Sequence, residues 1–122
     1  MGKNLFIIFL FFIITFHSKI YGSDEISLNC TNIENSSTHN FIIYPNYKVV
    51  NILPNGYEFD YIIEQESSDL LISYFYQIRD NFIKKFVLSF NFKENILYDE
   101  MYEGIDKKNL TLKDKKIFKC KK

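Results

Sequence analysis

The sequence predicts an all-β fold, a small antiparallel meander barrel or sandwich of seven to eight strands, from three observations. The first is a strict alternation in residues 82–92, where Phe86, Leu88, Phe90 and Phe92 are separated by smaller or more polar side chains. Side chains of an extended strand point alternately to opposite faces, so these four apolar groups share one face. That face is core and the other faces solvent, as is common in antiparallel sheets.

The second observation is a series of turn signals between alternating segments. Pro54-Asn55-Gly56 is the clearest, because proline presets φ and Asn-Gly tolerates positive φ. Pro45-Asn46 leaves open whether the apolar residues around it form two strands or one bent strand. Strands are expected at residues 25–30, 41–44, 47–53, 57–63, 70–78, 82–92, 96–102 and 117–120. The polar stretches at 31–40 and 103–116 are expected to be surface loops.

The third observation is a pair of cysteines, Cys30 and Cys120, near the two ends of the predicted domain. In an exported protein an even cysteine count predicts a disulfide, whereas a reactive thiol or metal pair would favour CxxC spacing. Disulfide geometry requires Cα atoms within about 7 Å, so the last strand should return beside the first and close the sheet.

Residues 1–22 have the layout of a cleaved signal peptide, with Lys3, an apolar run over 5–16 and a polar region that ends at Gly22. An uncleaved anchor is the alternative, but the run is shorter than the roughly 20 residues of a membrane-spanning helix. Cleavage leaves a single disulfide-closed β domain over residues 23–122. We therefore expect a secreted or periplasmic protein with no stable membrane span.

Charge is balanced overall but unevenly distributed. Without the signal peptide, 13 basic and 15 acidic side chains remain, so we expect no nucleic-acid partner. We also expect a monomer. Residues 58–103 hold ten acids and four bases, whereas residues 107–122 hold eight lysines and one acid. This lysine-rich C-terminus is a candidate contact for a protein or an anionic surface, the alternative being a solvated end.

Candidate catalytic residues are few. His39 is the only histidine outside the signal peptide and is expected to be solvated in a loop, with no partner for a metal site or a catalytic triad. Glu58 with Asp60, and Asp99 with Glu100, could act as acid and base on a glycoside. Acids on the solvent side of a strand are the ordinary alternative, so we expect no catalysis, no cofactor and no metal.

Aromatic residues supply much of the expected interior. An eight-stranded barrel is just wide enough to be filled by side chains or to hold one small guest. In a domain of 100 residues the rings are needed as core, so we expect filling. The seven rings expected inside are Phe59, Tyr61, Tyr74, Tyr76, Phe86, Phe90 and Phe92.

The signal peptide, the cysteine on the first strand, the run of strands and the terminal Phe118-Lys119-Cys120 resemble small exported bacterial β-barrel domains, including the membrane-bound lysozyme inhibitors. The resemblance is one of architecture over the whole mature chain. Those inhibitors insert a short Ser-Gly-Ala/Val-Arg-Tyr loop into the lysozyme cleft. The only arginine here, Arg79, is followed by Asp80, so no inhibitory residue is transferred.

The sequence thus predicts an exported, non-catalytic binding or inhibitory module that acts through its surface. The alternative function is that of a carrier that holds a small hydrophobic ligand inside the barrel. A third, from a different class, is an enzyme that uses acidic residues.

Overall fold

A computed structural model describes residues 24–122, so the predicted signal peptide over residues 1–22 lies outside the described part. Neighbouring strands in the sequence pair with each other, and the last pairs with the first, so the sheet is a closed antiparallel barrel. This confirms the all-β meander and decides for a barrel over a sandwich. The eight strands are Ile26–Asn32 (β1), Thr38–Tyr44 (β2), Lys48–Ile52 (β3), Glu58–Glu66 (β4), Leu70–Arg79 (β5), Phe82–Asn91 (β6), Ile96–Gly104 (β7) and Thr111–Lys121 (β8).

Between residues 24 and 122, no helix is long and apolar enough to span a lipid bilayer.

The turns follow their local chemistry. Gly56 has a φ of 93°, in the left-handed region that glycine tolerates, and its N–H donates to the carbonyl of Leu53 at 2.9 Å. Asn46 also has a positive φ, of 61°, and the chain reverses there, so β2 and β3 are two strands and not one bent strand. Both turns therefore lie where the sequence predicts a break.

The centre of the barrel is filled by large side chains. Phe41, Phe90 and Phe118 are at most 1% exposed, as are Leu88 and Leu97. The Phe41 ring meets the rings of Phe90 and Phe118 edge to face, with centroids 5.5 and 6.4 Å apart. Edge-to-face pairs at this spacing add to the stabilisation from burial. The alternation on β6 is thus confirmed, and its apolar face is core.

Two of the seven expected interior rings point to the outer face, so the prediction for Tyr74 and Tyr76 is wrong. A third, Phe59, points inward opposite Asn51 but is 39% exposed at its end of the barrel. On β5 the inward residues are Leu71, Ser73 and Phe75, and the first two are at most 1% exposed. Both the odd-numbered and the even-numbered residues of β5 include apolar side chains, so alternation alone does not show which set points inward. A register shift between Ile63 and Gln65 also means that the inward positions of β5 do not continue the alternation of β4. The outward tyrosines meet at 5.6 Å, with the Lys85 ammonium 5.2 and 5.6 Å from their ring centroids.

Both predicted polar loops are shorter than expected. Strand β8 begins at Thr111, so the loop before it covers only residues 105–110, and the first loop covers only residues 33–37. Residues 111–116 show no apolar alternation because β1 has already ended beside them, and both faces of this segment reach solvent. A strand that buries neither face carries no period-two signal.

The disulfide joins the first and last strands as predicted. Cys30 lies directly opposite Cys120 in the β1–β8 ladder, with Cα atoms 4.0 Å apart, and the two form a disulfide. Cys30 is fully buried, so the bond closes the barrel from its interior. A disulfide is consistent with an oxidising, exported environment.

The two ends of the barrel differ. At one end, here called the cleft end, lie the connections at residues 33–37, 53–57, 80–81 and 105–110. Two ladders do not extend to this end. The β4–β5 ladder joins only residues 62–66 to residues 71–74, and the β1–β8 ladder joins only residues 29–32 to residues 118–121. The strands therefore splay into two walls, β2–β4 and β5–β8. The opposite, terminal end holds residues 24–25, residue 122 and the remaining three connections.

Candidate functional site

The two walls enclose a cavity of about 250 Å³, here called the end cleft. This is about the volume that eight water molecules occupy in the liquid. One wall contributes His39, Asn51, Leu53, Phe59 and Tyr61, and the other contributes Phe75, Gln77, Phe86, Asp99, Met101, Asp114 and Lys116. The end cleft thus combines aromatic rings with titratable and amide side chains.

His39 lies on β2 and lines the end cleft, so its predicted position in a solvated loop is wrong. Its ring is 5.0 Å from that of Phe118 and 6.1 Å from that of Phe41, centroid to centroid. Burial lowers the pKa of His39, a side-chain interaction with Asn51 raises it, and the positive charge of Lys116 lowers it. His39 is therefore neutral at pH 7, because its pKa lies below the usual 6.5.

Asn51 and Tyr61 form the deepest polar part of the end cleft. Both are only 3% exposed. Burial raises the pKa of the Tyr61 hydroxyl, which therefore stays protonated, and Asp99 raises it further while Asn51 lowers it. Asn51 Oδ1 and His39 Nδ1 are buried, and neither has a hydrogen-bond partner within the described chain. Buried polar atoms are usually paired, so these two mark a place where the fold alone leaves polar groups unsatisfied.

Asp99 points into the barrel, so the expectation that it faces solvent is wrong. It pairs across the sheet with the fully buried Leu88 on β6 and with Lys116 on β8, and directly opposed side chains share a face. Burial raises the pKa of Asp99 to about 6, with Lys116 lowering it and the acids Asp114 and Glu100 raising it. Glu100, the next residue, points to the outer face beside Lys115.

The other acid pair is on the outside, as expected. The Asp60 carboxylate is 3.1 Å from the Lys48 ammonium, and both Glu58 and Asp60 are exposed. Exposed ion pairs of this kind contribute little to stability. The two predicted acid pairs are therefore not brought together, and Asp99 alone of the four enters the end cleft.

The cleft end carries a charged pair at the mouth of the end cleft and several exposed apolar side chains. The Lys116 ammonium lies 3.9 Å from Asp114, and both side chains are about half exposed. Among residues 24–122, seven of the nine large exposed apolar side chains lie at the cleft end. They are Ile33, Tyr57, Phe59, Ile78, Phe82, Ile105 and Leu112, of which Phe59 lines the end cleft. Exposed apolar side chains that are grouped at one end of a domain are typical of contact surfaces.

Replacing Asp99 by asparagine is expected to raise the free energy of unfolding by about 2 kcal/mol at pH 7.5 and to change it little at pH 4. A carboxyl pKa raised from 3.8 to about 6 means that the folded state binds the proton more tightly than the unfolded state. Each pKa unit corresponds to about 1.4 kcal/mol, reduced here because solvent reaches the cleft mouth. Urea unfolding of both proteins at the two pH values measures the difference.

The sign of this effect is specific to Asp99. Its contribution to stability is complete below pH 3.8 and is lost as the pH rises to about 6, where the folded state also ionises. The exposed Asp60 provides the control, because Asp60→Asn removes only an exposed ion pair with Lys48 and should not stabilise the protein at pH 7.5. An Asp99→Asn effect of equal size at pH 4 and 7.5 would contradict the burial of an ionised carboxylate.

Lysines of the C-terminal segment are spread over several surfaces. Lys115 on the outer face lies 4.8 Å from the Tyr98 ring centroid, Lys107 lies 4.5 Å from that of Tyr76, and Lys116 lines the end cleft. The segment from residue 107 thus supplies positive charge to both faces of the sheet.

No group of three or more His, Cys, Asp or Glu side chains that could hold a metal ion occurs within residues 24–122.

A second cavity, here called the terminal cavity, lies at the terminal end and has a volume of about 520 Å³. It is lined mainly by apolar side chains, among them Ile26, Leu28, Ile43, Leu71 and Phe92. The filled centre of the barrel separates it from the end cleft.

Comparisons with protein-family models, curated proteins and solved structures found no match to this chain.

Proposed function

We propose that the protein is an exported, non-catalytic binding module and that its ligand occupies the end cleft. The observation that carries this proposal is the buried Asn51, which lines the end cleft and whose Oδ1 has no hydrogen-bond partner in the described chain. An unsatisfied buried polar group costs about 1–3 kcal/mol of stability. A bound ligand that donates to Asn51 recovers this loss.

Export is supported by the disulfide and by the signal-like layout of residues 1–22. Both features belong to proteins that fold outside the cytoplasm.

The absence of catalysis is part of the proposal and is supported by the placement of the acids. Asp99 and Glu100 lie on opposite faces of β7, so this pair does not flank a single bond of a substrate. Glu58 and Asp60 are on the outer surface, away from the end cleft. A hydrolytic activity that disappears in Asp99→Asn would contradict this part of the proposal.

Contact of the lysine-rich C-terminus with a protein or an anionic surface is a separate proposal. Strand β8 carries both these lysines and Cys120, so removal of the segment would break the barrel. Charge reversal at the exposed Lys113 and Lys115 tests the contact while keeping the strand.

The carrier function is the second candidate, and the terminal cavity is the observation that favours it. Its apolar lining and its volume of about 520 Å³ suit a small hydrophobic molecule. The filled centre limits such a ligand to the terminal end, where it would lie beside Cys120 and not in the middle of the barrel.

Replacing Asn51 by leucine is expected to abolish ligand binding while raising the free energy of unfolding by about 1 kcal/mol. Leucine has a similar shape and removes the unsatisfied Asn51 Oδ1 from the interior. The measurement is a fragment screen by NMR on the ¹⁵N-labelled, oxidised protein, in which binders shift the amide signals of Asn51 and Asp99. Thermal unfolding of both proteins gives the stability.

Ser73 offers a matched control, because it is fully buried, its Oγ also has no partner in the described chain, and it does not line the end cleft. Ser73→Ala should gain stability in the same way and keep the fragments that bind the parent protein. A screen in which no fragment shifts the signals of the end cleft would overturn the proposed function.

A further inference from the structure

The charges that face the end cleft favour a positively charged ligand. Two carboxylates, those of Asp99 and Asp114, face it together with one ammonium group, that of Lys116, and His39 is neutral. Lys116 lies 3.9 Å from Asp114 at the mouth. Asp99 lies deeper, and no ion pair within 4.0 Å reaches it from the described residues. The inner part of the end cleft is therefore negative once Asp99 ionises.

Aromatic rings from both walls line the end cleft. Phe75 stacks between Phe59 and Phe86, with centroids 5.9 and 4.7 Å away and near-parallel planes. Tyr61 meets Phe75 edge to face at 4.8 Å. The two outer rings of the stack each keep one face that is not covered by Phe75. Aromatic faces attract organic cations, most strongly where water is excluded.

The unpartnered amide oxygen is an acceptor. Asn51 Oδ1 accepts and does not donate, whereas His39 Nδ1 accepts or donates according to the tautomer of the neutral ring. A ligand that satisfies Asn51 and Asp99 together must therefore donate hydrogen bonds. An ammonium group donates several hydrogen bonds. It also carries a positive charge, and no positively charged group of the described residues lies within 4.0 Å of the Asp99 carboxylate.

We propose that the end cleft binds a small organic cation, a primary ammonium group attached to a compact apolar or aromatic body. The ammonium N–H groups donate to the carboxylate of Asp99 and to Asn51 Oδ1, and the apolar body packs against Phe59 and Phe86. The volume of about 250 Å³ limits the ligand to the size of a phenylethylamine. This inference rests on the proposed function, since it names the ligand class of the same site.

Three probes of nearly equal shape test the charge preference: 2-phenylethylammonium, 2-phenylethanol and phenylacetate. Each is titrated into the ¹⁵N-labelled, oxidised protein at pH 7.5, and the shifts of the Asn51 and Asp99 amides give the dissociation constant. The ammonium is expected to bind at least tenfold more tightly than the other two. Asp99→Asn is expected to remove this preference, whereas Asp60→Asn, on the outer surface, should leave it unchanged.

The affinity for the ammonium probe is also expected to fall about tenfold between pH 7.5 and pH 5, because Asp99 becomes neutral over this range. Protonation of His39 acts in the same direction, so Asp99→Asn, which retains His39, separates the two groups. Titratable groups surround Asp99 from several strands: His39 on β2, Tyr61 on β4, Glu100 on β7, and Asp114 and Lys116 on β8. On β6, the apolar Leu88 lies directly opposite Asp99, and Phe86 lies opposite the next inward residue, Met101.

Failure of this inference is distinguishable from failure of the proposed function. Equal or tighter binding of phenylacetate or 2-phenylethanol at the end cleft would overturn the cation preference and leave the binding module in place. Absence of saturable ammonium binding would also overturn the inference. The proposed function itself fails only when the wider fragment screen finds no binder at the end cleft.

Discussion

Replacing Cys30 and Cys120 together by alanine is expected to lower the free energy of unfolding by about 4 kcal/mol. A disulfide across a separation of 90 residues removes a large amount of conformational freedom from the unfolded chain. The β1–β8 ladder that it reinforces pairs only four residues on each strand. Single domains have total stabilities of about 5–15 kcal/mol, so the loss is a large part of the whole. Urea unfolding of the variant and the oxidised parent measures it.

Reduction of the parent protein with dithiothreitol provides the control, since it breaks the same bond without changing the amino-acid sequence. Both treatments should give similar losses. A loss of unfolding free energy below about 1 kcal/mol in both would show that the β1–β8 ladder is stable without the disulfide. The end cleft is expected to lose its geometry as well. His39 on β2 lies directly opposite Cys30, so its position depends on the pairing of β1 with β8.

Much of the fold could be predicted from the sequence because its strands bury one face. The alternation on β6 and the turn at Pro54-Asn55-Gly56 each come from local physical constraints, side-chain direction in one case and allowed φ in the other. The disulfide then fixes the closure. The pattern fails on β5, where apolar residues of both phases leave the inward set undecided, and on residues 111–116, which bury neither face.

The end cleft could be predicted only in part, because its residues lie far apart in the sequence. A signal was nevertheless present, since three polar residues lie two positions from a buried residue and so share its inward direction. They are His39 before Phe41, Asn51 after Val49, and Asp99 after Leu97. A polar residue that continues an inward alternation faces the interior of the barrel. Only the pairing of the strands shows that these three positions meet at the same end of the barrel.

Replacing Phe118 by alanine is expected to lower the free energy of unfolding by about 3–5 kcal/mol, the usual cost of truncating a fully buried phenylalanine. Its ring contacts those of Phe41 and His39, so the remaining cavity would lie in the filled centre and extend toward the end cleft. Collapse of neighbouring side chains is limited because the barrel strands hold them apart. Urea unfolding measures the loss, and Ile62→Ala, on a side chain that is 58% exposed, should change stability by less than about 0.5 kcal/mol.

The same variant distinguishes a barrel whose centre is filled by side chains from a carrier that holds a ligand there. Enclosed apolar cavities made by truncation bind small apolar molecules such as benzene. Phe118→Ala should therefore gain benzene binding near Phe41 and Leu97 that the parent protein lacks. Benzene that shifts the NMR signals of these central residues equally in the parent would mean that the centre already admits a guest, and the carrier function would then extend beyond the terminal cavity. Binding confined to the variant would mean that the rings of the core keep the two cavities separate.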